Sequence, residues 1–591
     1  MYINQILKIF SLLDKRFKLK LLIVILLMLF LSTLELVGIG ILAGFIYFLV
    51  DIDKFLLKLP DLKITDYVIS LENDEKIKLF IFLIIIIFLL KNFLIFISNI
   101  YFYKFNRQLN IHIVARVLQK YLKSEYSFFL ENKISKIINN VRDETTRFCG
   151  IIMSYLNIFK ELVLIILIIA GIITINWKIT LGVFLLIFSI SMLIVYFLRL
   201  TLIKLGEQRT LYSSKIYKNL YDIFFGIKFI KIKFLENVFL KKITKVYSSL
   251  LDVMFRQSVL ILIPRLMLEV MGVTGLCIII YIFLLLDYSF NEIIPLLTFL
   301  ALVIIRMVPS MAALNQNINN ISSNNISFEL ISNLIQGINS EFGLDKKNDN
   351  TPEKGIEEIE SLELKNISFG YNVKEFNTLD NINLKIYKDD ILGIIGKSGS
   401  GKTTLVNLIL GLLKPKIGKI LINNKENEDL KKYEISYVPQ DVSILDEGIY
   451  SNIAYGIKDE DINKETIEKL IEVTQLDKQN LDTSKNLGES GLNISGGQKQ
   501  RIGFARGLYG KFSLIALDEP TSDLDYETQK RIIKYLENSS KSRITILVAH
   551  RLDTLNICNK IAIIEEGKIK DFDVKEKIIE NNPYLKKYLE N

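Results

Sequence analysis

The sequence predicts a chain of two parts: a membrane bundle of six α-helices, then an α/β domain built around a phosphate-binding loop. Three observations carry that expectation. Six apolar stretches are each long enough to cross a hydrocarbon core, which takes roughly 20 helical residues, and no such stretch follows residue 314. From about Glu358 short apolar runs alternate with amphipathic ones, as strands and helices do in an α/β domain. Between one of those strands and the helix after it stands a glycine-rich run, Gly396 to Thr403.

The six spans read as Leu21–Val50, Leu79–Tyr103, Ile151–Ile175, Ile179–Leu198, Val259–Leu286 and Ile293–Leu314. Only Asn176, Trp177 and Lys178 separate the third from the fourth, which predicts a tight hairpin with an aromatic residue at the membrane interface. The first twenty residues carry too many Lys, Arg and Asp residues for a secretory signal, so the first span reads as a retained helix. The stretch Asp51 to Lys76 is rich in acids, whereas basic residues crowd the other ends of the spans, from Lys15 to Lys20, Arg107 to Lys123 and Arg199 to Lys233. The positive-inside rule then places both termini and the two long loops in the cytoplasm, with the spans in the cytoplasmic (inner) membrane. Ile52–Leu59 reads either as a short interfacial helix or as a plain loop.

The long loops, Lys104–Gly150 and Arg199–Ser258, have helical periodicity and read as extensions of the membrane helices. An Asn-rich helix then runs from Leu314 to about Ile335, and Asp345–Glu357 reads as a charged linker. The expected domains are a cytoplasmic N-terminal helix at 1–20, the membrane domain at 21–314, the helical extension and linker at 315–357, and the nucleotide-binding domain at 358–591.

Composition excludes several alternatives. Half of the 591 residues are hydrophobic, 50%, which is high for a soluble protein. The net charge of +9 is spread beside apolar blocks rather than gathered in one patch, which points to a membrane surface and away from nucleic acid. Cys149, Cys277 and Cys558 lie far apart, and only His112 and His550 are histidines, so neither a disulfide framework nor a zinc centre is expected.

Ile391–Ile395 is a buried-strand run leading into Gly396-Lys397-Ser398-Gly399-Ser400-Gly401-Lys402-Thr403, and the helical pattern from Thr404 to Leu412 follows. Strand, glycine-rich loop and helix are the context a phosphate-binding loop requires. The glycines let backbone N–H groups approach phosphates, the helix N-terminus favours negative charge, Lys402 reaches the β- and γ-phosphates of ATP, and Thr403 holds Mg²⁺. A second apolar strand, Ser513–Leu517, ends in Asp518, placed to orient the metal shell, and Glu519, placed to polarise the attacking water. A third strand, Ile544–Val548, delivers His550 as a γ-phosphate contact.

With these residues the whole chain resembles the ATP-binding cassette (ABC) transporters. The run Ile494-Ser495-Gly496-Gly497-Gln498 is similar to the family's signature sequence, and Gln440 follows the strand Ile435–Val438. The resemblance implies that Gln440 touches Mg²⁺ and the lytic water, that Thr404 joins the loop in binding nucleotide, that Tyr371 stacks on adenine, where the other reading is a strand aromatic in the core, and that Ser522 and Asp525 belong to a loop joining two sites. Ile494 and Asp523 stand where the family usually has Leu and Ala. The resemblance also implies that Ser495, Gly496, Gly497 and Gln498 close over nucleotide held by a partner chain. Because Glu519 and the signature occur together, a homodimer is the simplest assembly, with a heterodimer as the alternative.

Tyr221–Lys228 and Ser124–Asn132 resemble the family's coupling helices, or else are ordinary amphipathic helices. Ionisable residues within the spans are Glu35, Lys91, Lys160, Glu161, Arg265, Glu269 and Arg306. Such residues face protein or a water-filled cavity. Arg265 and Glu269, four apart, either neutralise each other or, with Lys91 and Arg306, leave a positive lining for an anionic group. Pro264, Arg265 and Glu269, Arg306 with Pro309, and Glu35 resemble the lipid-linked oligosaccharide flippases of bacterial protein glycosylation. The expected function is ATP-driven export or flipping of such an amphiphile. A peptide or multidrug exporter is the alternative of the same class, and a non-transporting ATP-gated channel or regulatory membrane protein the one from another.

Overall fold

The computed structural model describes residues 2–50, 72–285, 290–337, 357–371, 378–426, 432–479, 485–520, 524–549 and 552–582. The chain divides into two compact units, Met1–Ser124 with Phe128–Leu344, and Asp345–Asn591 with Glu125–Ser127.

The first unit is helical. Its elements are Tyr2–Leu12, Lys15–Val50, Asn73–Leu122, two short helices Tyr126–Glu131 and Ile134–Asn139, a long run Thr145–Phe225, Glu236–Leu285, Phe290–Ser323 and Asn325–Gln336. Among the described residues four segments are long and apolar enough to cross a membrane: Lys15–Leu42, Asn73–Leu122, Ile134–Ala170 and Glu236–Gly275. The helical backbone also runs through the expected fourth and sixth spans, where most side chains lie outside the described set, as does the whole of Ile52–Leu59.

One expectation is corrected. The N-terminal helix does not fill residues 1–20 but stops at Leu12, and the membrane helix begins at Lys15. The expected hairpin is present: the helical run Thr145–Phe225 folds back on itself, for Tyr217 donates to Asp143 at 3.0 Å, groups that a straight helix at about 1.5 Å per residue would hold roughly 110 Å apart.

Helix Asn73–Leu122 shows how one element serves two solvents. From Ile81 to Ile100 large apolar side chains are exposed on every face, including Phe82, Leu89, Phe93 and Phe96. That is the pattern of a helix surrounded by lipid. Beyond it, Phe105, Leu109, Ile113, Val117 and Tyr121 are buried at intervals of four, a single stripe facing protein. The stripe packs on Ile9, Leu12, Leu13, Phe148, Ile152 and Phe328 in one apolar core.

Polar contacts fasten the same region. Gln5 donates to Asn325 at 2.7 Å and Lys8 to Asn333 at 2.9 Å, while His112 lies 3.1 Å from Asp14. A π-helical turn, Asn140–Glu144, carries the fully buried Glu144, which accepts from Asn139 at 3.2 Å and Arg147 at 2.6 Å and also from Ser327. Burial lowers the Arg209 guanidinium to about 10, still charged at neutral pH, and it donates to Asn324 and to the Ser323 carbonyl.

The second unit is α/β. A six-stranded sheet has the order β10-β9-β3-β8-β7-β6, with β3 Ile391–Gly396, β6 Ile435–Val438, β7 Leu514–Asp518, β8 Ile544–Val548, β9 Lys560–Glu565 and β10 Lys568–Val574. β6, β7, β8, β3 and β9 are parallel, and β10 returns antiparallel on β9. A four-stranded antiparallel sheet orders β2 Leu379–Tyr387, β1 Ser361–Phe369, β4 Ile417–Ile422 and β5 Lys425–Glu426. Every residue of β7 and β8 is buried, as befits parallel strands covered on both faces. Their side chains alternate between two cores, Ile515, Leu517 and Leu547 on one face and Leu514, Ala516, Ile546 and Val548 on the other.

At Gly206 the long helix meets backbone: a Cβ there would stand 2.1 Å from the Ser323 carbonyl oxygen. Gly206→Val is therefore expected to wedge two helices apart at a cost of about 1–3 kcal/mol, seen as a fall of several degrees in the melting temperature of detergent-solubilised protein. Gly150→Ala is the control, since nothing lies within 4 Å of a Cβ at that position. Equal melting temperatures for the two variants would contradict this account of the helix crossing.

Candidate active site

Strand order places the site. In a parallel sheet the carboxyl ends of neighbouring strands share one edge, and ligands sit beyond it. The register sets Ile394 of β3, Val548 of β8 and Asp518 of β7 in one row, with Leu517 opposite Val438 of β6. Everything that follows those residues projects from the same edge.

From β3 comes the phosphate loop. Gly396 approaches β9 so closely that a Cβ would lie 2.2 Å from the Ile564 carbonyl oxygen. Gly401 caps the helix Lys402–Ile409 at φ +103°, and a Cβ there would strike Leu379 at 2.7 Å. Only glycine satisfies both conditions. Lys402 is buried and curls over the loop, donating to the carbonyls of Gly396 at 2.9 Å and Lys397 at 3.1 Å. Lys397, Ser398, Gly399 and Thr403 are exposed, while Ser400 is buried with no hydrogen-bond partner for its hydroxyl. An inward hydroxyl, curled ammonium and helix N-terminus form a cradle of anion-binding groups.

Tyr371 stands beside it. Its hydroxyl lies 3.0 Å from that of the buried Thr404, and its ring meets Phe369 edge-on at 5.1 Å. At 42% exposed it is not a core aromatic: its tip is anchored and its ring faces outward.

Two residues beyond the paired Val438 and Leu517 come Gln440 and Glu519, so the parallel register sets them opposite each other. Gln440 donates to the Glu519 carboxylate at 2.8 Å. Glu519 itself has φ +48°, unusual for any residue but glycine. Its N–H donates to the Val548 carbonyl at 3.2 Å, and its carbonyl accepts from Gln500 at 3.2 Å. Asp518 is almost wholly buried at the strand end. Thr403, Gln440 and Asp518 all offer oxygen, the donor a hard cation such as Mg²⁺ takes. His550, Ser522 and Asp523 lie outside the described residues.

The signature run opens helix Gly496–Leu508. Ser495 accepts from the Gln498 N–H at 3.2 Å, and the Gln498 side chain accepts from the Ser495 N–H at 2.7 Å. This reciprocal capping box holds the first turn, and Ser495 and Gly496 are exposed. Asp525 caps the next helix, Tyr526–Ser539, accepting from Thr528 at 2.9 Å, and pairs with the buried Arg501. The Thr528 N–H, the Thr528 hydroxyl and the Arg501 guanidinium hold the Asp525 carboxyl below the usual carboxylate range.

Gln500 and Arg501, which sequence reasoning did not single out, are buried polar residues that contact the Glu519 carbonyl and Asp525. Their one signal is a polar pair at the head of the apolar run Ile502-Gly503-Phe504-Ala505. In the first unit Lys91 is half-buried against Gly38, its ammonium 4.6 Å from the Phe88 ring centre. Arg265 and Glu269 are both exposed, with no ion pair between them, and the Arg306 side chain lies outside the described set. Lys160 pairs with Glu161 at 3.3 Å.

Comparison with known proteins identifies the family. The ABC transporter family model matches residues 379–522, and the ABC transporter transmembrane region model matches residues 21–307. The chain belongs to the ABC transporters. A putative export ATP-binding/permease protein of Rickettsia bellii is 36% identical over 219 residues, covering 36% of this chain and 38% of that protein. An ATP-dependent lipid A-core flippase of Haemophilus influenzae is 30% identical over 282 residues, covering 46% of this transporter chain and 48% of the flippase. The matched stretches thus span less than half the length of these relatives. Over its full length the fold is that of a bacterial Atm1-family ABC exporter solved with ATP bound, at a TM-score of 0.80, 17% identity and 98% coverage of both chains.

Removing Asp525 takes away a helix cap and the partner of a buried guanidinium. Asp525→Ala is expected to destabilise the second unit by about 1–3 kcal/mol, whereas Asp525→Asn, which still caps, loses less. Thermal melting of the two variants checks the order, and equal losses would refute the capping half of the argument.

Proposed function

We propose that two copies of this chain close over ATP and use its hydrolysis to carry an amphiphile across the cytoplasmic membrane. The observation that carries the reading is the Gln440–Glu519 pair, 2.8 Å apart beside an intact phosphate loop. A site built only to bind nucleotide needs the loop but not a carboxylate aimed at water.

In this reading Tyr371 stacks on the adenine, and Gly396 to Thr404 cradle the phosphates, with Lys402 leaving its carbonyls for the β- and γ-phosphate oxygens. Thr403, Gln440 and Asp518 would hold Mg²⁺, which supplies charge neutralisation at those oxygens. Glu519 draws a proton from the water that attacks the γ-phosphorus as the bond to the β-phosphate oxygen breaks, and Gln440 keeps the carboxylate in line. His550 contacts the γ-phosphate. The exposed N-terminus of helix Gly496–Leu508 favours an anion, and that anion is the nucleotide on the partner copy. Ser522 and Asp525 bound the loop between the sites.

The substrate class follows from the membrane unit and from relatives named as lipid A-core flippases. A lipid with a charged glycan head, such as a lipid-linked oligosaccharide, would call for a positively lined cavity, the role proposed for Lys91, Arg265 and Arg306. The nucleotide unit lies on the cytoplasmic side, so transport runs outward.

In proteoliposomes, Glu519→Gln should reduce ATP turnover by about 10²-fold or more with nucleotide binding retained, whereas Lys402→Ala should abolish binding. A fluorescent lipid-linked oligosaccharide should change leaflet only with ATP and an intact Glu519. Unchanged transport after reversing the charge of Arg265 and Arg306 would remove the anionic cavity, and stimulation by peptides alone would move the reading to a peptide exporter.

A further inference from the structure

Glu519 is held in a backbone conformation that persists only where its surroundings over-determine it. Three contacts do so. The Val548 carbonyl holds its N–H at 3.2 Å, Gln440 its carboxylate at 2.8 Å, and Gln500 its carbonyl at 3.2 Å. The first comes from β8 and the second from the segment just after β6, on either side of β7. The third comes from the signature helix, five residues after Ser495.

Gln500 is only 3% exposed, on a helix whose other buried residues include Ile502, Phe504 and Ala505. A buried amide is unfavourable unless it is hydrogen-bonded, and an apolar side chain of equal length would fill the same space. What glutamine adds is a donor aimed at one main-chain oxygen. Arg501, the next residue, binds Asp525 and Thr528, so the helix grips the chain on both sides of residues 521–523.

We infer that Gln500 is a positioning residue for hydrolysis: it ties the aim of Glu519 to the placement of the signature helix. This rests on the function proposed above. In a dimer the signature helix meets the partner's nucleotide, while Glu519 serves the nucleotide on its own chain. Engagement at one site therefore reaches the base of the other through this hydrogen bond.

The test uses the full chain in lipid nanodiscs and the isosteric variant Gln500→Met, which cannot donate. Its kcat should fall roughly tenfold, the effect expected of one misdirected hydrogen bond, with the ATP concentration for half-maximal rate and the melting temperature unchanged. Because Gln500 acts through Glu519, the double variant Gln500→Met/Glu519→Gln should keep the small residual rate of Glu519→Gln alone. An unchanged kcat in Gln500→Met overturns the inference, as does a further tenfold loss in the double variant or a loss of nucleotide binding or stability. Parental turnover in Glu519→Gln would instead overturn the hydrolytic reading itself, a separate outcome visible in the single variant.

Discussion

The parallel register of β3, β8, β7 and β6 is the constraint from which the nucleotide site is built. Residues scattered over 150 positions of sequence meet because Ile394, Val548 and Asp518 share a row and Leu517 pairs with Val438. A slip of one residue in any pair would turn each side chain to the opposite face. The burial of every residue of β7 and β8 on two apolar cores makes such a slip costly. The same packing that stabilises the sheet thus fixes the Gln440–Glu519 distance, so stability and chemical geometry have one source.

A comparable economy governs the helical unit. Helix Asn73–Leu122 passes from lipid to water without a break, and only its apolar pattern changes, from all faces to every fourth residue. Where the stripe ends, polar anchors take over: buried Glu144 with Arg147 and Ser327, and Arg209 against Asn324. Buried charges are tolerated when they are paired and hydrogen-bonded, and here each joins elements far apart in sequence.

The phosphate loop was legible because its parts are contiguous: strand, glycines, lysine and helix follow one another, each with a local physical role. The strands ending at Val438, Asp518 and Val548 were legible as apolar runs. Their order was not, so the meeting of Gln440 and Glu519, 79 residues apart, rested on resemblance until the sheet was seen. Gln500 was harder still, because its partner is a main-chain carbonyl and any residue at position 519 offers one. The hairpin near Asn176–Lys178 was legible from local pattern alone: a short polar interruption divides two apolar blocks, and the Tyr217–Asp143 bond brings the far ends of those two helices together.

In the proposed dimer the signature helix serves two sites at once. A helix leaves its first four N–H groups without internal partners. The Ser495–Gln498 box satisfies two of them, leaving those of Gly496 and Gly497, where the absence of a side chain lets an outside anion come close. Had Ser495 lacked its reciprocal partner, the first turn would fray and the remaining donors would lose their direction. The reciprocal bonds fix the turn, so in the proposed reading attraction to a phosphate would displace the helix as a body rather than remodel its end. Rigid displacement is what a buried hydrogen bond one turn further along, from Gln500 to the Glu519 carbonyl, is able to transmit.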